Sequence, residues 1–189
     1  MRLWTSQKIG FYEDLMNNGI AYCNQLGYFA KENDFAYKWM VEQMKQRIGE
    51  PPLQITLPVW AWYQYSSRKK NKPPLSPIDK GHDGKEMMME IEVPDNEVLL
   101  SDFSLWHFPL NGWDIISDKR LKKKVEEHFF TEFDKKPPEI QKLIMDSWVK
   151  VFDLKIRDKY YAPQPAKTRS IQATLWCVRK EYLISSVEY

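Results

Sequence analysis

The chain has 189 residues, enough for a single globular domain spanning 1–189 with its own core and too few to suggest a second. A formal charge of +2 excludes a surface that coats nucleic acid generally, while leaving room for a local basic patch. No apolar run approaches the ~20 residues of a membrane span and the opening MRLWTSQK lacks the apolar core of a signal peptide, so a cytoplasmic location is expected.

Leu3 and Trp4 predict a short first strand, with Thr5 or Ser6 capping a helix in which Ile9, Tyr12 and Met16 recur at helical spacing. Asn17, Asn18 and Gly19 stop that helix, and Ile20 to Cys23 reads as extended. Asp34 opens a second helix to Ile48, with Phe35, Trp39, Met40, Met44 and Ile48 on one stripe, closed by Gly49 and the Pro51-Pro52 pair. From Ile55 to Tyr65, alternation sets Val59, Ala61 and Tyr63 against Trp60, Trp62 and Gln64, and Pro58 predicts an edge position or a bulge. Ser66 to Lys85 mixes Arg68, Lys69, Lys70 and Lys72 with prolines and glycines, the composition of a long surface loop. It is either a solvated charge run or a phosphate contact for nucleic acid.

Met87, Met89, Ile91 and Val93 alternate with Met88, Glu90 and Glu92, the pattern of a half-buried strand, and Pro94 to Asn96 turns it into Val98 to Asp102. The stretch VLLSDFSLWHFPLNGW, Val98 to Trp113, gathers more specific-looking side chains than any other. Ser117 caps a third helix with Leu121, Val125 and Phe129 facing in and Lys122, Lys123, Lys124, Glu126 and Glu127 facing water. Pro137 and Pro138 open a fourth, whose buried side is Ile140, Leu143, Ile144, Trp148, Val151 and Phe152. After a polar link, Arg157 to Arg169, comes a strand in which Ile171, Ala173, Leu175 and Cys177 alternate with Gln172, Thr174 and Trp176. Strands and helices interleave without strict alternation, which predicts a single-domain α+β fold: a mixed or largely antiparallel sheet with about four helices.

Cys23 and Cys177 lie among apolar neighbours and read as separate buried thiols in a reducing compartment. The aromatic share is 14% with eight Trp, which suits either core filling or a pocket that stacks a planar ligand such as a base or nicotinamide ring. No set of His, Cys and carboxylates has the local spacing of a metal site, so no metal is expected.

With LWTSQ, LPVWAWYQ, the IEVPDNEVLLSDFSLWHFPLN block and IQATLW in place, the chain resembles, over nearly its whole length, the bacterial and archaeal domain-of-unknown-function family thirty-eight forty-one. That resemblance implies a family and no activity. A looser one is to the ADP-ribosyltransferase fold: a short strand ending in a polar residue, a helix closed by glycine, aromatic strands, and a late strand with Gln172-x-Thr174. That fold holds NAD with its first strand, a central aromatic strand and a late carboxylate strand, so the resemblance implies NAD as the ligand. The chain departs from it at Gln172-x-Thr174, which lacks the glutamate that orients the ribose and stabilises the oxocarbenium-like transition state.

The candidate catalytic residues are Asp102, His107 and Gln172: a carboxylate to orient an imidazole, the imidazole as acid or base, and an amide to hold the ligand. Arg2, Trp4, Thr5, Trp60, Trp62, Trp106, Asn111, Thr174 and Trp176 are the candidates for binding NAD or a nucleotide. The leading expectation is an NAD- or nucleotide-using, ADP-ribosyltransferase-like transferase acting on nucleic acid or protein. The alternatives are a non-catalytic aromatic groove for nucleic acid or peptide, with phosphates on the Arg68 to Lys72 loop, and an interaction protein with exposed aromatics.

Overall fold

The computed structural model describes residues 1–23, 34–52, 55–65, 73 and 86–189. The Arg68 to Lys72 loop lies outside the described residues. Eight strands are described: β1 (Arg2–Lys8), β2 (Ile20–Ala21), β3 (Val59–Gln64), β4 (Glu86–Glu92), β5 (Leu99–Asp102), β6 (Ile171–Leu175), β7 (Val178–Arg179) and β8 (Leu183–Glu188). Among them lie α1 (Ile9–Asn18), α2 (Asp34–Ile48), α3 (Phe103–Leu110), α4 (Lys119–Glu126) and α5 (Pro138–Trp148). The fold is α+β, with a six-stranded sheet in the order β5-β6-β3-β1-β4-β8, every pairing antiparallel, and a two-stranded β2-β7 ribbon.

Side chains alternate across a sheet, so cross-strand partners share a face. On one face Leu3, Val59, Ala61, Met87, Met89, Ile91, Ala173 and Leu175 pack with Leu15 of α1 into the main core. The period-2 readings therefore hold along β4 and along β3 as far as Trp62. The other face of the β5-β6 edge is covered by α2 and α3, where Met40, Met44, Leu99, Trp106 and Cys177 meet. A third cluster, built on Ile115, Ile144, Trp148 and Val151, joins α3, α4 and α5.

Several expected boundaries move. β1 runs through Thr5 and Ser6 to Lys8, because β4 pairs with it along its whole length, and α1 begins only at Ile9. Gly19 closes α1 at φ 74°, a left-handed conformation that glycine adopts without Cβ strain. β3 lies inside the sheet between β6 and β1, so Pro58, just before it, marks no edge; the irregularity falls instead between Trp62 and Gln64. α4 ends at Glu126, so only Val125 of the predicted inward stripe is buried, while Leu121 is 37% and Phe129 64% exposed. β6 stops at Leu175, which takes Trp176 out of the strand face; its indole N–H instead donates to Gly49 O at 3.0 Å. The edge strand β8 has no counterpart among the expected elements. Both cysteines are free thiols, Cys23 half-buried and Cys177 buried. No helix among the described residues is long and apolar enough to cross a membrane.

Candidate functional site

The face of the sheet opposite the main core carries a row of side chains that crosses all six strands. The register aligns Ser101 with Gln172, Gln172 with Trp62, Trp62 with Trp4, Trp4 with Glu90, and Glu90 with Ser185. Beside it Leu99 pairs with Thr174 and Thr174 with Trp60. One end of this face is aromatic and the other acidic.

At the aromatic end, Trp62 is half-buried and meets Tyr65 at 4.9 Å and 90° and Phe103 at 4.9 Å and 62°. Phe103 in turn meets His107 edge-on at 4.9 Å. Trp60 packs on Trp106 at 5.2 Å, and both meet Tyr37 of α2 edge-on at 6.0 Å. Burial pushes the Tyr37 phenol above its ordinary value. Beneath these rings the Gln172 amide donates to Ser101 Oγ at 3.2 Å, both groups being buried. The Thr174 hydroxyl donates to Leu99 O at 3.4 Å and the Thr5 hydroxyl to Trp60 O at 2.8 Å, so these two hydroxyls tie strands together.

At the acidic end Glu86, Glu90 and Glu92 alternate along β4 on the same face as Trp4. Arg2 reaches Glu90 at 3.4 Å. Ser6 Oγ donates to Glu86 Oε2 at 2.9 Å and lies 2.6 Å from the Tyr189 hydroxyl, which donates to the same carboxylate oxygen at 2.9 Å. Burial raises the Tyr189 phenol, and its bond to Glu86 adds to the rise. Sequence reasoning missed Glu86, Glu90 and Tyr189, because their position beside Trp4 follows from strand register.

The indole N–H groups of Trp4 and Trp60 are buried with no acceptor among the described residues. A buried donor without a partner costs about 1–3 kcal/mol, and the described residues carry two on one face of the sheet.

The other predicted residues are placed differently. Asp102 is fully buried and committed at both oxygens: Oδ1 accepts from the Leu105 N–H at 3.1 Å, capping α3, and Oδ2 accepts from Arg169 at 2.7 Å. Arg169 is 3% exposed and also donates to Leu154 O at 2.7 Å and Ile156 O at 3.3 Å. Asp102 thus positions α3 and is one residue out of phase with Ser101, on the opposite face of the sheet from Gln172. His107 is exposed, on the turn of α3 following Phe103. Asn111 caps the end of α3, its amide donating to His107 O at 2.7 Å. Trp176 lies past the end of β6, buried in the cluster with Leu99 and Trp106.

A family model, Domain of unknown function (DUF3841), matches residues 2–184. The chain belongs to this family. No curated protein and no solved structure matches this DUF3841 chain. The residues Trp4, Trp60, Trp62, Trp106, Gln172 and Thr174, drawn from four separate stretches, are brought together by this DUF3841 fold.

Proposed function

We propose that the protein recognises a planar heteroaromatic ligand, a base or nicotinamide ring of a nucleotide, on the aromatic face formed by Trp62, Trp4 and the α3 rings. The observation that carries this reading is the pair of buried indole donors, Trp4 and Trp60, that have no acceptor among the described residues on that face. Ligand sites are mostly apolar and aromatic walls with a few fixed polar groups, and Gln172, Ser101 and the two indole N–H groups are such groups here. An acceptor on the ligand, drawn in beside the indoles, would remove the cost they carry in its absence. Asp102 has no role in this chemistry, since both its oxygens serve the fold.

Glu90 favours a second reading, transfer from NAD. It supplies a carboxylate in the same row as Trp4 and Trp62, where Gln172-x-Thr174 lacks one, and Arg2 restrains it. In that reaction the bond from the ribose C1′ to nicotinamide breaks, the pair leaving with nicotinamide. An acceptor oxygen or nitrogen bonds to C1′ and loses its proton. Glu90 would stabilise the positive charge that builds on the ribose in between.

A thermal-shift screen against NAD, ADP-ribose, nicotinamide and mononucleotides tests both readings. A ligand at ~100 times its Kd stabilises by roughly 2.7 kcal/mol, enough to see. Trp62→Leu should abolish the shift while the ligand-free protein stays folded. Nicotinamide release that Glu90→Gln abolishes while binding persists supports transfer; binding without turnover supports recognition alone. No shift with any of these ligands overturns both.

A further inference from the structure

On the far side of α3 from the aromatic row, a cavity of about 150 Å³ opens between α3, α4 and α5, lined by Phe108, Trp113, Asp114, Lys122, Phe129 and Lys136 among others. That is about half the ~300 Å³ at the lower end for drug-sized ligands, so it has room for a single ring system. Its walls are aromatic and its polar groups are fixed. Asp114 is 7% exposed and is held by Lys122 Nζ at 2.9 and 3.1 Å and by the Ile116 N–H at 3.0 Å. Lys136 is also 7% exposed, donating to the carbonyls of His128 and Thr131, and burial pushes its ammonium below the ordinary lysine range.

The rim of this cavity is apolar, and the outer face of α4 beside it is basic. α4, KRLKKKVE, holds five cations against one carboxylate. Among the described residues, Lys119, Arg120, Lys123 and Lys124 make no ion pair with a carboxylate. Lys119 and Arg120 occupy the first turn, the positive end of the helix dipole, where cations destabilise a helix. Lys122, Val125 and Phe129 follow one another at helical spacing along the cavity side. Phe129 and Phe130, 64% and 99% exposed, meet edge-on at 5.2 Å, and Trp113 is 52% exposed across the opening. Rings held in water beside cations that have no ion pair among the described residues do nothing for the core.

We propose that this corner binds single-stranded nucleic acid. One unpaired base enters the cavity against Trp113 and Phe129, and the strand runs on over the outer face of α4, where Lys119, Arg120, Lys123 and Lys124 take its phosphates. Single strands fit because stacking needs a free base face, which a duplex hides, and because a charged track with interleaved rings is what binds them. A lipid surface would use the cations and the phenyl rings but would leave the polar cavity without a function.

Fluorescence anisotropy with labelled homopolymeric DNA and RNA strands tests this on the intact chain. Phe129→Ala should weaken binding roughly five- to a hundredfold, the range for losing one base stack, and leave the salt slope unchanged. Changing Lys119, Arg120, Lys123 and Lys124 together to Ala should weaken every strand alike and reduce the salt slope by roughly 0.7 for each phosphate no longer neutralised. Trp62→Leu, on the other face, should leave strand binding intact, which separates this site from the ligand row. All the altered side chains at α4 are exposed, and an unchanged Tm confirms that each variant folds. Failure of the unaltered protein to bind any strand, equal binding of duplex, or a blue shift of Trp113 on anionic vesicles without strand binding would overturn the proposal.

Discussion

Substituting Asp102 separates structure from chemistry at the centre of the VLLSDFSLWHFPLNGW stretch. Asp102→Ala leaves the Arg169 guanidinium, 3% exposed, without its carboxylate, and leaves the Leu105 N–H without its cap acceptor. Breaking one side of a buried pair costs about 3–5 kcal/mol and a lost N-cap about 1 kcal/mol, so the loss should be roughly 4–6 kcal/mol. Against a typical total of ~5–15 kcal/mol this removes roughly a quarter or more of the stability. Asp102→Asn keeps an oxygen for the cap and should lose only the charge component, roughly 3–5 kcal/mol. Arg169→Met combined with Asp102→Asn should cost less than the two single changes summed, because neither charge is then stranded. Urea unfolding followed by tryptophan fluorescence gives all of these values. A loss under about 1 kcal/mol for Asp102→Ala, with ligand response abolished, would refute the structural assignment and return Asp102 to the chemistry.

Gly112 sits at φ +64°, and a Cβ there would lie 2.6 Å from Phe133 Cβ, so Gly112→Ala should cost roughly 2–5 kcal/mol from backbone strain and overpacking; a change under about 0.5 kcal/mol in urea unfolding would contradict this. Burial pushes the Cys23 thiol up to about 11, so its alkylation in the folded protein should accelerate only as pH approaches that value. A thiol that reacts at neutral pH as fast as in the denatured chain would count against its burial. Asp158 is held below its ordinary value of 3.8, first by the Ser117 hydroxyl and then by the Tyr161 and Tyr160 N–H groups. Its folded value being depressed, its contribution is full above pH ~3.8 and is lost as pH falls through the folded value. The stability gap between the native chain and Asp158→Asn should therefore close on acidification, and a gap constant down to the lowest accessible pH would contradict the assignment.

The parts of this fold that can be read from sequence are those written in local periodicity. β3, β4 and β6 alternate, and α2 carries a striped run from Asp34 to Ile48, so each was legible without partners. α3 was not, since FSLWHFPL is apolar on most sides and contains Pro109; it is helical because Asp102 caps it and Trp106 and Leu105 are buried. The Asp102–Arg169 pair spans 67 positions, and nothing local marks Arg169 as anything but a charge in a polar link. The same holds for Glu90, which reads as the solvent side of a strand until register sets it beside Trp4. The aromatic half of the candidate row was legible in composition, and its acidic half needed the sheet.

The indole N–H signals of the tryptophans in a nitrogen-15-labelled sample report directly on the donors of Trp4 and Trp60, on which the proposed recognition of a planar ligand rests. Trp148 and Trp176 already donate, to Trp113 O at 2.6 Å and Gly49 O at 3.0 Å, whereas Trp4 and Trp60 have no acceptor among the described residues. With signals assigned by single Trp→Phe changes, titrating the ligand found by thermal shift should move the Trp4 and Trp60 N–H resonances downfield as they gain an acceptor, and leave Trp148 and Trp176 in place. Unmoved Trp4 and Trp60 signals at saturating ligand, with changes confined to Trp113 or Trp176, would contradict the account.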